Sequence, residues 1–317
     1  MMKYLLMAPL LLVAYACESS FSPKGPFESK VAVVAILTTN SDTQYVRVFK
    51  TYDPPAFDPF AVRQDQSIRG VVAQVSSGAL TVQYSESLRP RPDTNRFSDN
   101  IVAYVAHPFR VEGGKNYNLN VVTPSDGQVN STVSVPDTGW VRVLNPLMLS
   151  SDRIDAGTAE DLIVQANISS GARGYMVRFY LDFDVPTGNS WTRTRLEIPG
   201  LVVKIDTTRY YGYPKLQRRS SEPGPPHSHQ MEGAYFMIKA YAEKLKDIRV
   251  EYGPNVWLRR AIFVQTQVDE NLYTYYNIVN GYQDAFSIRT DLPDWTNING
   301  GLGIFGAIVE DSTFINF

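Results

Sequence analysis

Apolar and polar residues alternate with a period of two along most of this chain, the spacing that puts successive side chains on opposite faces of a β-strand. Residues 31–37 are a continuous apolar run, which reads as a strand covered on both faces. Gln44–Lys50 alternates, and so do Val71, Ala73 and Val75, then Leu80, Val82 and Tyr84, with Ser76-Ser77-Gly78 between them as a hairpin turn. Ile101, Ala103 and Val105 give a further strand, followed by Tyr117, Leu119 and Val121, then residues 132–135. The loop 53–59 carries three prolines and must lie outside the ladder, with Asp53 and Asp58 as turn formers. About seven strands in roughly 105 residues is the spacing of an all-β sandwich.

Gly113-Gly114-Lys115-Asn116-Tyr117-Asn118-Leu119-Asn120-Val121 sharpens that expectation. It resembles the tyrosine corner of immunoglobulin-like domains, where a tyrosine opens a late strand and its hydroxyl bonds back to the preceding turn. The region 30–136 is therefore expected to be an immunoglobulin-like sandwich. Residues 135–139, Val-Pro-Asp-Thr-Gly, break the pattern and read as a linker.

A second β-rich domain is expected over 140–317. Leu162, Val164, Ala166 and Ile168 alternate, and Tyr175, Val177, Phe179, Leu181 and Phe183 form one face of a long strand. Met176, Arg178, Tyr180 and Asp182 form its other face. Residues 191–198 and Leu201–Ile205 continue the sheet around a Pro199-Gly200 turn, and 235–242 and 261–268 are further strand candidates. One segment, Glu270–Asn280, reads as helix: Asp269 can cap it, Leu272, Tyr276 and Val279 share a face, and Gly281 stops it. Between Tyr210-Tyr211-Gly212-Tyr213-Pro214 and His227-Ser228-His229 no strand or helix pattern fits, which suggests a binding loop or a solvated insertion.

The beginning of the chain changes the picture of where this β protein works. Lys3, an apolar stretch from Leu5 to Val13 and Ala14-Tyr15-Ala16 make a signal peptide over 1–16, too short to span a bilayer, which takes about 20 residues. Cys17, the single cysteine, follows at once. Ordinary cleavage would leave it a free thiol; a lipobox would make it the lipidated first residue of the mature chain. The absence of any other cysteine favours lipidation. Residues 17–29, rich in serine, proline and glycine, then form the tether between lipid and first strand. The formal net charge is −2, and loss of Lys3 with the leader makes it −3, against a nucleic-acid partner. The leader and Cys17 together predict an exported chain held by a lipid anchor.

Candidate chemistry is sparse. Gly301-Leu302-Gly303-Ile304-Phe305-Gly306 matches the G-x-G-x-x-G string, but the residues around it read as strand and no crossover follows. Close packing of a last strand explains the glycines better than a dinucleotide, and no cofactor is predicted. His227 and His229 can pair on a metal, with Glu222 and Glu232 the nearest carboxylates in sequence; loop histidines without metal are the better reading. Asp182 and Asp184 point the same way on one strand and can be read as a glycosidase pair or as a solvated face. A serine triad would have to use His107 or the loop pair. No catalytic residue is assigned. Tyr210, Tyr211, Tyr213 and Tyr273 are the candidate contacts for a ligand or partner.

The end of the chain carries a resemblance. Asp269-Glu270-Asn271-Leu272-Tyr273, then Thr296-Asn297-Ile298-Asn299-Gly300-Gly301-Leu302-Gly303-Ile304-Phe305-Gly306, resembles a Bacteroidota outer-membrane lipoprotein family of unknown function. The resemblance implies a lipidated cysteine at the mature start, an immunoglobulin-like domain, and a setting near TonB-dependent transporters, with no functional residues to carry over. Family surface lipoproteins often carry several acids just after the cysteine; only Glu18 stands there in this chain, which leaves surface or periplasmic facing open. The expected function is a lipid-anchored binding or accessory protein, a partner of such a transporter in nutrient uptake. The alternatives are an envelope hydrolase acting on glycan or peptide, and a structural or adhesive module.

Overall fold

The computed structural model describes residues 26–91, 94, 97, 100–149, 160–220, 228–280 and 295–317. The leader, Cys17, most of the tether and His227 lie outside the described residues. The fold is mainly β, as the alternation predicts. Its first half holds β1 (Val31–Thr38), β2 (Gln44–Lys50), β3 (Val72–Ser77), β4 (Leu80–Arg89), β5 (Ile101–Ala106), β6 (Asn116–Val122) and β7 (Gln128–Ser134). β4 is long enough to serve two sheets. Its first part pairs β3, with Ala73 opposite Tyr84, and its second part pairs β5, with Ser85 opposite Val105. The two sheets so joined close on one core that includes Val33, Val48, Ala73, Leu119 and Val121.

Tyr117 is buried at the start of β6, and its hydroxyl accepts a hydrogen bond from the Glu112 backbone N–H at 2.8 Å, the corner geometry the motif predicts. In β5 the core-facing set is Val102, Tyr104 and Ala106, one residue out of step with the expected 101-103-105 set. The run is apolar on both faces, and the tyrosine decides between them. Its buried hydroxyl donates to the Ile68 carbonyl at 2.7 Å and accepts from the Val71 N–H at 3.1 Å.

The second half adds β8 (Trp140–Val143), β9 (Asp161–Ser169), β10 (Gly174–Thr187), β11 (Ser190–Ile198), β12 (Leu201–Ile205), β13 (Thr208–Gly212), β14 (Gln217–Arg218), β15 (His229–Met237), α1 (Ile238–Tyr252), β16 (Trp257–Val268), α2 (Glu270–Asn280) and β17 (Leu302–Asn316). The inward side chains of β10 meet Leu162, Val164, Ala166 and Ile168 of β9, Phe236 of β15 and the apolar face of α1. Phe179 stacks on Phe263 at 4.6 Å between centroids and meets Phe236 edge-on at 5.7 Å.

Three expectations are corrected here. Residues 235–242 are not one strand: β15 ends at Met237 and α1 starts at Ile238. Ile238, Tyr241, Ala242, Leu245 and Ile248 are buried at helical spacing, but Met237 offers no side-chain cap to mark the start. Leu201–Ile205 leaves the main sheet and pairs with β13 instead, so Tyr210 and Tyr211 lie in a strand rather than an irregular loop. His229 opens β15, opposite Ser169 of β9. The helix expected at Glu270–Asn280 is present, with Asp269 as its cap.

β17 ties the halves together. Residues 302–308 run parallel to β1, with Ala32 opposite Leu302 and Thr38 opposite Ile308. Residues 308–316 run antiparallel to β16, with Val268 opposite Ile308 and Arg260 opposite Asn316. One hydrogen-bonded path therefore runs β11-β10-β16-β17-β1-β2-β5-β4-β3-β6-β7. Glycine serves that approach, as expected: a Cβ at Gly303 would overlap the Val33 carbonyl, and one at Gly301, just before the strand, would lie 2.7 Å from the Val31 carbonyl oxygen, while Gly306 makes room for Leu272 of α2.

Candidate functional site

The outer face of β10 carries the densest chemistry among the described residues. Period-two alternation buries Phe179, Leu181 and Phe183 and turns Tyr180, Asp182 and Asp184 outward. The β10–β11 hairpin sets Arg195 opposite Asp182 and Arg193 opposite Asp184. On the other side, β16 sets Arg260 opposite Asp182 and Trp257 opposite Asp184. The pairing slips between them, leaving Arg259 as the extra residue of a β-bulge. A bulge re-aims one side chain, and so both consecutive arginines reach the same row of acids.

The contacts are close and two-sided. Arg195 grips Asp182 through Nε at 2.7 Å and Nη2 at 3.1 Å, and Arg260 Nη2 reaches the same carboxylate at 3.1 Å. Arg193 grips Asp184 at 2.7 and 3.3 Å, and Arg259 Nε adds a bond at 2.6 Å. The arginines stay partly exposed, yet they cover the acids so well that Asp182 is 2% and Asp184 5% exposed. The hydrogen-bonded Arg195, with Arg260 behind it, holds the Asp182 carboxyl below the usual carboxylate range, and Arg193 with Arg259 does the same for Asp184. This tells against the glycosidase reading of the pair, and against the solvated-face reading as well, since both acids are covered. Neither acid keeps a proton to donate near neutral pH, and neither offers a free oxygen pair as a nucleophile.

Two acids against four arginines leave this cluster with surplus positive charge, and large aromatics stand among the cations. Trp191 and Trp257 are 53% and 57% exposed, with rings 6.3 Å apart and nearly perpendicular. Arg259 lies 4.0 Å above the Trp257 ring, and Arg260 lies 5.5 Å from that of Phe314, itself exposed. Beside Trp257 a groove of about 540 Å³ opens between the turn Pro146–Leu149, the last turn of α1 and the ends of β16 and β17.

The sequence-predicted contacts do not gather into one site. Tyr211 packs on α1, its hydroxyl donating to Asp247 at 2.8 Å and Lys244 lying 4.0 Å from its ring. Burial and that carboxylate push the Tyr211 hydroxyl up to about 12. Tyr210 and Tyr213 are exposed nearby in sequence, whereas Tyr273 belongs to α2 and covers Gly174, where a Cβ would overlap its ring. His229 bonds the Thr138 carbonyl through Nε2 at 2.8 Å, fastening the segment before β8. No group of three or more His, Cys, Asp or Glu side chains able to hold a metal occurs among the described residues. His107 meets Thr43 at 2.9 Å and Asp42 at 3.3 Å, but both contact the same ring nitrogen, so no acid–base relay is formed.

Sequence reasoning missed Arg193, Arg195, Arg259, Arg260, Trp191 and Trp257. A signal existed: Asp-x-Asp in one strand and Arg-x-Arg in the next, both at period two across a short turn, call for cross-strand pairing. No protein-family model matches the chain, and no curated protein matches it. A similar solved structure is the C-terminal globular domain of an oligosaccharyltransferase from Pyrococcus abyssi, at 12% identity and a TM-score of 0.20. That likeness covers 76% of this chain and 48% of the other, so the chain spans about half the length of that structure.

Proposed function

We propose that this is a lipid-anchored protein of the bacterial outer membrane that works by binding, as an accessory to a TonB-dependent transporter. The observation that carries the reading is the outer face of β11, β10, β16 and β17. It combines exposed Trp191, Trp257 and Phe314 with four arginines fixed by buried aspartates. Tryptophan and arginine dominate the energetic centres of protein interfaces, and side chains already held in place lose less freedom on binding. The same clamps that fix the arginines occupy both oxygens of Asp182 and Asp184, which supports binding over hydrolysis at this face. The signal peptide and lone Cys17 support the anchor, and the C-terminal resemblance supports the transporter setting.

The test is retrieval of the tagged full chain from detergent-solubilised native membranes. A TonB-dependent transporter is expected with the natural chain and is expected to fall at least tenfold with Trp191→Ala combined with Phe314→Ala. Retrieval of no transporter, or equal retrieval by the double variant, overturns the reading. A mass spectrum of the mature N-terminal peptide tests the anchor separately, since an unmodified Cys17 refutes it.

A further inference from the structure

The groove beside Trp257 differs in chemistry from the arginine face and calls for a different ligand. Its walls are Leu147, Leu149, Leu258, Ile315 and Phe317, with Trp257 at the rim. Leu147 is 75% exposed and Phe317 is also exposed, so apolar surface converges here without cover from the described residues. The scaffold beneath is firm. Leu149 is buried, its carbonyl accepting from the Tyr241 hydroxyl at 3.4 Å, and Ile315 is paired with Ala261 inside the sheet. Arg249, in the last turn of α1, is the groove's one charged side chain. Among the described residues it has no hydrogen-bond or ion-pair partner, unlike the four clamped arginines nearby.

We propose that this groove binds an amphipathic monocarboxylate, a single carboxylate on an apolar chain, with the chain along the leucine and phenylalanine wall and the carboxylate on Arg249. The volume of about 540 Å³ falls within the roughly 300–1,000 Å³ of small-molecule sites. The Arg249 guanidinium, free among the described residues and set beside apolar walls, matches one anionic head on an apolar body, because an arginine fork takes a carboxylate in two parallel bonds. A polyanion would leave charge against leucine, and a neutral sugar would leave most hydroxyls unpaired, since Asn316 and the Trp257 indole N–H are the groove's only other polar side-chain groups. This site goes beyond the transporter reading and rests on separate residues, apart from Trp257 at the shared rim.

The experiment uses the full chain in lipid nanodiscs, titrated with 11-bromoundecanoate, whose bromine quenches tryptophan fluorescence on contact. Saturable quenching is expected in the natural chain and is expected to be lost in Trp257→Phe, which places the probe. Arg249→Met is expected to weaken binding of the acid by about tenfold to a hundredfold, the loss typical of a hydrogen-bonded charge, and to leave 11-bromoundecanol unchanged. Arg249→Lys recovers part of the loss. In competition, straight-chain carboxylates are expected to tighten about threefold to fourfold per added methylene until the groove is full. Quenching that never saturates, equal binding of acid and alcohol, or insensitivity to Leu147→Asp overturns the proposal. So does displacement of the probe by an apolar peptide with a free C-terminus when no alkanoate displaces it. Transporter retrieval and probe quenching are separate readouts, so either reading can fail alone.

Discussion

Gly303 is held at φ +110°, where side chains other than glycine rarely go, and a Cβ there would overlap the Val33 carbonyl across the β1–β17 pair. Gly303→Ala therefore meets backbone strain and a backbone clash together, and its expected cost is about 3 kcal/mol or more. Gly78→Ala is the control: φ is +56° there, but open space surrounds the position, so about 1 kcal/mol is expected. Urea unfolding midpoints of the two variants check the difference, and equal midpoints would refute the close-approach account. The role of these glycines was legible from sequence, because apolar residues around them ruled out the helix a dinucleotide site needs. The arginine clamps were legible only in part. Arg193 and Arg195 could be matched with Asp182 and Asp184 by period alone, but Arg259 reaches its acid only through a bulge, and no local pattern announces one.

At the scale of the element, α2 hangs on Asp269. Its carboxylate accepts from the Asn271 N–H at 2.9 Å and the Leu272 N–H at 3.2 Å, and reaches out of the helix to the Ala307 N–H of β17 at 2.8 Å. Asp269→Ala is expected to cost about 2–4 kcal/mol, since it removes a cap and leaves a buried N–H unpaired. Asp269→Asn keeps an acceptor and is expected to cost about 1 kcal/mol at pH 4, where the aspartate is protonated. Burial pushes the Asp269 carboxyl up to about 6, against the pull of its backbone donors. A raised carboxyl favours the folded state while protonated. Its contribution is complete below the unfolded value near 4 and is lost as pH rises through about 6, by about 3 kcal/mol for a shift of this size. Between pH 4 and 7 the difference in unfolding midpoint between the natural chain and Asp269→Asn should shift toward the variant, because other shifted carboxyls such as Asp311 titrate alike in both; parallel curves would refute the assignment. This cap was readable because aspartate stood one residue before an apolar helical stripe. α1 was not, since Met237 gives no cap and the strand before it runs into the helix without glycine or proline.

For the whole molecule, the long C-terminal strand decides how many cooperative units exist. The linker at residues 135–139 suggested two domains, and two apolar cores do lie on either side of it. Yet Phe305, Ala307 and Val309 belong to the first core, while residues 308–316 complete the sheet of the second through β16. A strand shared along its length couples the two, because opening either sheet strands the hydrogen bonds of the other half of β17. The segment before β8 is fastened as well, by the Gly139 N–H on Asp311 at 2.8 Å and by His229 on Thr138. Phe305→Ala tests the coupling. The ring is fully buried in the first core, so its removal is expected to cost about 3–5 kcal/mol. Native-state hydrogen exchange should then accelerate by similar factors in β1, which Phe305 faces in the parallel pair, and in β16, which belongs to the other core. Acceleration confined to β1 and its sandwich neighbours would mean that the halves open separately, and that β17 is a tether between two domains rather than a beam common to both.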